Sequence, residues 1–580
     1  MEIKIKSSIS YIIILAFFTI LLNNCFYGFG WTDEALYLSI LNSNFQGNEF
    51  FFFFFLSTLF YSLFLIPLYS LILKFQNNTD NIYLIFRIIT LIFQFIVVIT
   101  TYKIFSQKFN KNAILISVLG LFSFARACIP GPSYYTFCLY TFIFAIDLIY
   151  AVFILNWKSI FLFIAGFFLS FAVLCNPYLV LVYALITILL FVLKTTRKEL
   201  KKILVIYAGI IFTAGIYLFV ILKNHTFSEF LNSLTYTLSA PEYSGRSFIV
   251  TIKWLLKFPR LFVTPLFYYF IFTILSILCI FKNGFRQKFF SNYSKKIIAS
   301  ILLILNYLSF IIIKKDCGSP IVGFFYLPFF MLFIFSDFSK QDFKTLYQNH
   351  KIIFYTFIIP GLSLSFMECL CSDTGFGVFA IGMVVCFIGI IPFFYSVVDK
   401  ITIPNKKIIS VFLLAISILV TLFYRTNLVY RDSKLSSHLL FIPQFHKNIG
   451  KIEQGPAKGI YTSRENLEAY NKIYEDVKNI EYKEGDTIFI SKLVPWVYLV
   501  NPDLKTNAPT TWRVPLTDFR LKEYFETEKH EFPTHILIID EAIRDNNINP
   551  VENTWMFNEI MNKGYEKKEV NCGILYTKKN

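Results

Sequence analysis

Apolar runs of membrane-spanning length recur from residue 10 to residue 424, at 10–27, 88–105, 112–128, 133–155, 158–174, 178–194, 203–222, 261–281, 297–313, 320–335, 351–371, 376–396 and 408–424. Lipid offers no partner to an unpaired backbone group, so runs of this length and polarity read as transmembrane helices. A chain with about thirteen of them is a polytopic α-helical membrane protein. Only 16% of the residues are charged and the mean hydropathy is +0.59, which excludes a soluble globular chain. The first run follows the lysines of MEIKIK, and no small-residue cleavage site follows it, so it reads as an uncleaved first span.

The net charge of +17 would suit nucleic acid if it were evenly spread. It is not. From Arg425 onward there are 22 Lys+Arg and 22 Asp+Glu, whereas residues 1–424 hold 32 and 15. The excess therefore flanks the apolar runs, where basic residues set topology and meet lipid headgroups. No nucleic-acid partner is needed to explain it.

A further apolar run, 50–75, decides the orientation of every later span. If it does not cross, KTTRKELKK (194–202) and FKNGFRQKFFSNYSKK (281–296) lie on the cytoplasmic side with the N-terminus, as the positive-inside rule requires. The run is therefore expected to lie at or dip into the outer interface, broken at Pro67. Thirteen spans then leave the tail outside. The expected organisation is a transmembrane domain over 1–424, whose first outer loop (28–87) carries interfacial helices, and an extracytoplasmic α/β domain over 425–580. In the tail, strands are predicted at 458–461, 487–491, 535–540 and 573–577, and helices near 464–479, 516–527 and 553–563. Thr462 and Glu465 have the spacing of a capping box. The ten cysteines are scattered, mostly within apolar runs, and read as small hydrophobes; any pairing among Cys317, Cys369 and Cys371 stays open.

The segment GFGWTDEALYLSI (28–40) places two carboxylates, Asp33 and Glu34, just past the outer end of the first span. An Asp-Glu pair there, in a chain of about a dozen spans with a polar tail, resembles the GT-C membrane glycosyltransferases. The layout is most like that of the lipid A aminoarabinose transferases and protein O-mannosyltransferases. PLYSLILKF (67–75) and Arg87 at the opening of the next span look like the loop-one helices and second span of those enzymes. The resemblance implies Asp33 as the catalytic acid with Glu34 beside it, and a polyprenyl-phosphate sugar as donor. The residues support that chemistry, since a base must take the proton of an acceptor hydroxyl. A plain alternative is that two acids simply favour a helix N-terminus.

The second outer loop departs from the family. Where the aminoarabinose and mannosyl enzymes commonly carry a further acid, this chain has FARACIPGPSYYTF (124–137), with Arg126 and two tyrosines. Arg126 would grip a phosphate or snorkel as an interfacial anchor. In the loop 224–260, Arg246, Lys257 and Arg260 would hold the donor phosphate and stabilise the departing oxyanion, or anchor the interface. Lys253, Lys314 and Lys315 are similar. His225 with Asp33 or Glu368 would make a divalent-metal set, though no spacing motif marks one. Asp147 falls inside a span and is assigned to helix packing. Trp496, Tyr498 and Trp512 would stack on sugar faces and Arg513 would hold an acid, or together they form a small core packed against the membrane domain.

The expectation is a glycosyltransferase moving a sugar from a polyprenyl-phosphate donor to a glycan, lipid or protein acceptor, in a plasma membrane whose lipid it also contacts. A transporter or flippase of a lipid-linked saccharide and a non-catalytic scaffold are the alternatives.

Overall fold

The computed structural model describes residues 7–31, 33–46, 57–124, 131–176, 200–224, 226–228, 353–361, 363–365, 449–491, 494–501, 503–506, 518–527, 531–540 and 551–579, with scattered positions in 179–187 and 382–392. The N-terminal half is helical: α1 (Ser7–Asn24), α2 (Asp33–Phe45), α3 (Ile66–Gln76), α4 (Ile82–Phe105), α5 (Lys111–Ser123), α6 (Tyr134–Leu155), α7 (Ile160–Cys175) and α8 (Leu200–Asn224). Among the described residues α4, α6 and α8 are long and apolar enough to cross a membrane. The runs at 261–281, 297–313, 320–335 and 408–424 lie outside the described residues, and those at 178–194, 351–371 and 376–396 are described only in part.

In the described part of the run 50–75 the helix changes type just before the proline and continues through it. A 3-10 helix, Ser57–Leu65, gives way to α3, and Pro67 sits in the first turn, where its missing N–H is no loss. Both ends of the segment between α1 and α4 touch the tail. Gly28 N–H donates to Tyr461 O at one end, and Tyr83 N–H donates to Pro456 O at the other. Both ends of the segment therefore lie against the same part of the tail.

Inside the bundle the packing is close. Gly166 of α7 faces Gly209 of α8, and a Cβ on Gly166 would sit 2.1 Å from the Ile206 carbonyl oxygen. Ser170 Oγ donates to Ile210 O across the same seam. Asp147 is fully buried in α6, where its carboxylate is 2.5 Å from Thr101 Oγ1 of α4, joining the two helices as a packing contact.

Beyond residue 449 the chain becomes α/β: β1 (Ile449–Lys451), β2 (Tyr461–Ser463), α9 (Arg464–Lys478), β3 (Thr487–Ile490), β4 (Lys505–Thr506), α10 (Asp518–Thr527), β5 (His535–Ile539), α11 (Trp555–Asn562), β6 (Glu566–Val570) and β7 (Gly573–Thr577). A five-stranded sheet has the order β4-β3-β5-β7-β6, with β3 parallel to both neighbours and β7 antiparallel to both of its own. Alternation along the strands feeds two cores. Ile488, Ile490, Leu537 and Ile539 pack under α9, while Phe489, Ile536 and Ile538 pack under α10 and α11.

Two local readings need correction. The strand expected at 458–461 lies at Tyr461–Ser463, because residues 455–459 turn, with Gly455 and Gly459 at positive φ. The cap of α9 is Ser463, whose side chain accepts from Asn466 N–H; Thr462 instead accepts from the Asn466 side chain.

His535 titrates within this sheet. Burial pushes its pKa down, and Asp486 Oδ2, 3.5 Å from Nε2, opposes this only in part. The fold therefore favours neutral imidazole, so its contribution is complete above the ordinary histidine pKa of about 6.5. It declines as the pH falls through that value, because the unfolded chain then binds the extra proton. The unfolding midpoint of the tail should drop between pH 7.5 and 5.5 more steeply in wild type than in His535→Gln. Parallel profiles would refute this.

Candidate active site

The acid pair opens α2. Asp33 is its first residue and Glu34 its second. Glu34 is 1% exposed and its carboxylate is held by Arg87, which is equally buried: Nε donates to Oε1 and Nη2 to Oε2, each at 2.6 Å. This is a planar fork meeting a carboxylate with two parallel bonds. Arg87 does more than neutralise. Its Nη1 donates to the carbonyls of Cys25 (2.8 Å) and Tyr27 (3.4 Å), and its Nη2 donates to that of Gly28 (2.8 Å). Those carbonyls follow the end of α1, where helix geometry leaves acceptors without intrahelical donors. All five guanidinium N–H groups are thus engaged.

Two glycines make room for Glu34. A Cβ on Gly30 would lie 2.5 Å from Glu34 Oε2, and one on Gly131 would lie 2.7 Å from Oε1. Gly131 belongs to the PGPS stretch before α6, so the second loop closes directly over the first. Tyr61 donates to the neighbouring Pro132 carbonyl, and the Tyr37 ring of α2 meets Tyr134 edge to face at 5.8 Å. Helical spacing puts position 33 in line with Tyr37 and Ile40, on the side of α2 that turns to the bundle. Ala35, Leu38 and Leu41 pack toward the tail.

The other wall is aromatic. Phe29 and Trp31 pack with Tyr83 of α4 and with Tyr470 and Trp496 of the tail; Tyr470 and Trp496 stack at 4.4 Å. Trp496 and Tyr498 are buried in this junction, which is the small-core alternative for those aromatics. Trp512 and Arg513 lie outside the described residues, as do Arg126, Arg246, Lys257, Arg260, His225 and Glu368. Among the described residues no group of three His, Cys, Asp or Glu side chains could hold a metal ion.

Two features of the site lie beyond what the apolar pattern alone assigns. The apolar pattern puts Arg87 at the opening of a span, but α4 begins at Ile82, so Arg87 lies more than a turn inside. An arginine inside an apolar helix needs an acid partner, and that signal is present in the sequence. Gly131 carries no such signal.

No family model matches the chain, and no curated protein matches it. Among solved structures it is similar to the oligosaccharyltransferase of Archaeoglobus fulgidus, determined as a complex with zinc and sulfate. That likeness has a TM-score of 0.47 and 12% identity, and covers 98% of this chain and 73% of that one. A fold likeness does not by itself assign chemistry, which has to come from the residues of the acid loop.

Proposed function

We propose that the chain is a membrane glycosyltransferase of the GT-C type, with Asp33 as general base. One observation carries this: Glu34 takes both of the Arg87 N–H groups that face a carboxylate, and backbone carbonyls take the other three. The acid pair is therefore divided. Glu34 is a positioning residue, and Arg87 has no donor left for Asp33. In the proposed step the Asp33 carboxylate takes the acceptor hydroxyl proton as that oxygen bonds to the anomeric carbon. The bond from that carbon to phosphate oxygen breaks, and the polyprenyl phosphate leaves with the electron pair. Arg126, Arg246, Lys257 and Arg260 are the proposed phosphate contacts, which would stabilise the leaving charge. The donor is a polyprenyl-phosphate-linked sugar and the acceptor a glycan, lipid or protein. The tail is proposed to lie outside the plasma membrane, with residues 1–424 as the catalytic part.

The test is sugar transfer by purified protein in lipid, with wild type compared to Asp33→Asn. Loss of a general base lowers the rate by about 10² to 10⁴, and donor binding should persist. Undiminished transfer in Asp33→Asn would remove Asp33 as base. No transfer from any donor, with movement of a lipid-linked saccharide between leaflets, would replace catalysis with transport.

A further inference from the structure

The acid loop is held from two sides, and only one of them is the helical bundle. Tyr461 N–H donates to Phe26 O at 2.7 Å, and Gly28 N–H donates to Tyr461 O at 2.9 Å, so the tail adds a strand-like bridge to the chain leading into the acids. The Tyr27 and Tyr461 rings stack at 5.3 Å. Phe29 meets Tyr470 edge to face at 5.3 Å, and both Phe29 and Trp31 lie 5.9 Å from Trp496. Past the acids, Asn42 Nδ2 of α2 donates to Tyr498 O. Contacts with the tail thus run through residues 26–29 and 31 and resume within α2, on both sides of Asp33.

We propose that the C-terminal α/β unit is a positioning part of the catalytic site, fixing the backbone that presents Asp33 through Tyr461 and the Tyr470–Trp496 stack. The proposal rests on the glycosyltransferase reading for its effect on rate, but not for its mechanical content. Trp31 and Phe29 form a continuous apolar wedge into the tail, and a loop so wedged cannot move without opening a buried aromatic core. Contacts this close to a reacting group act on its geometry, and a misplacement of about 1 Å can cost about 100-fold in rate. The buried Trp496 Nε1 makes no hydrogen bond among the described residues, so phenylalanine there keeps a ring and forfeits no partner.

The experiment compares wild type, Trp496→Ala and Trp496→Phe as full chains in lipid nanodiscs, with two readouts. Backbone amide exchange over residues 26–34 reports the loop without any sugar. Transfer from a lipid-linked sugar gives kcat and KM separately. In Trp496→Ala, exchange over 26–34 should rise about tenfold, and kcat should fall about tenfold or more with donor KM changed less than about threefold. Trp496→Phe should retain both. Faster exchange confined to residues 460–500 would overturn the proposal, and so would a Trp496→Phe protein as impaired as Trp496→Ala. Where Trp496→Ala does not fold, Tyr461→Leu, which removes only the stack on Tyr27, should produce a smaller change of the same kind; no change over 26–34 there would also overturn it. If wild type transfers no sugar while exchange over 26–34 responds as stated, the glycosyltransferase reading fails and the tail's hold on the loop stands.

Discussion

Arg87→Met is expected to destabilise the folded chain by about 3–5 kcal/mol, the usual consequence of stranding a buried charge by removing its partner. Glu34 would be left 1% exposed with neither oxygen paired by Arg87, and the carbonyls of Cys25, Tyr27 and Gly28 would lose their side-chain donor together. Arg87→Lys should not rescue it. A lysine ammonium carries three donors on a flexible stem and cannot span a carboxylate and three carbonyls in one plane. The double variant Glu34→Gln/Arg87→Met should be less damaged than the sum of its single changes by about 2 kcal/mol, because the stranded charge is gone. Unfolding in detergent, followed by loss of the monodisperse species with denaturant, provides the measurement. Additive single changes, or an Arg87→Lys protein as stable as wild type, would show that the pair is not coupled in this way.

This pair also marks where sequence reading stops. The location of the acids is legible, because two carboxylates just past an apolar run form a distinct pattern. The pairing of Glu34 with Arg87 is not, because a carboxylate engaged by an arginine carries no mark of it in one dimension. Only the position of Arg87, five residues past the start of α4, points to it. The tail shows the same boundary. The apolar runs His535–Ile539 and Gly573–Thr577 declare themselves as strands. Glu566–Val570 does not, because as an edge strand with little buried face it reads as a charged loop. Docking of the tail is least legible of all. Phe29 and Trp496 are more than four hundred residues apart, and in a chain with 71 phenylalanines an aromatic carries little information about its partner.

Holding α4 and Arg87 in place falls to the bundle, and the seam between α7 and α8 shows how its helices are kept together. Lipid gives no hydrophobic drive for helix association, so close backbone approach matters, and small residues four apart permit it. Gly166 on α7 meets Gly209 on α8, and Ser170, four residues on, donates to the Ile210 carbonyl of α8. A Cβ at Gly209 would lie 2.2 Å from the Phe163 carbonyl oxygen, and a Cβ at Gly166 would lie 3.0 Å from the Gly209 Cα, so neither site accepts even alanine without separating the helices. Gly166→Leu should therefore destabilise the bundle by about 3 kcal/mol or more, at the upper end of overpacking effects. The neighbouring helix supplies the control. A Cβ at Gly215 in α8 would have nothing within 4 Å, so Gly215→Leu should be tolerated, and the gain in helix propensity over glycine would offset any small loss. The measurement is the temperature at which half of the protein leaves the monodisperse peak in detergent. Equal temperatures for Gly166→Leu and Gly215→Leu would mean that the α7–α8 crossing does not depend on these glycines.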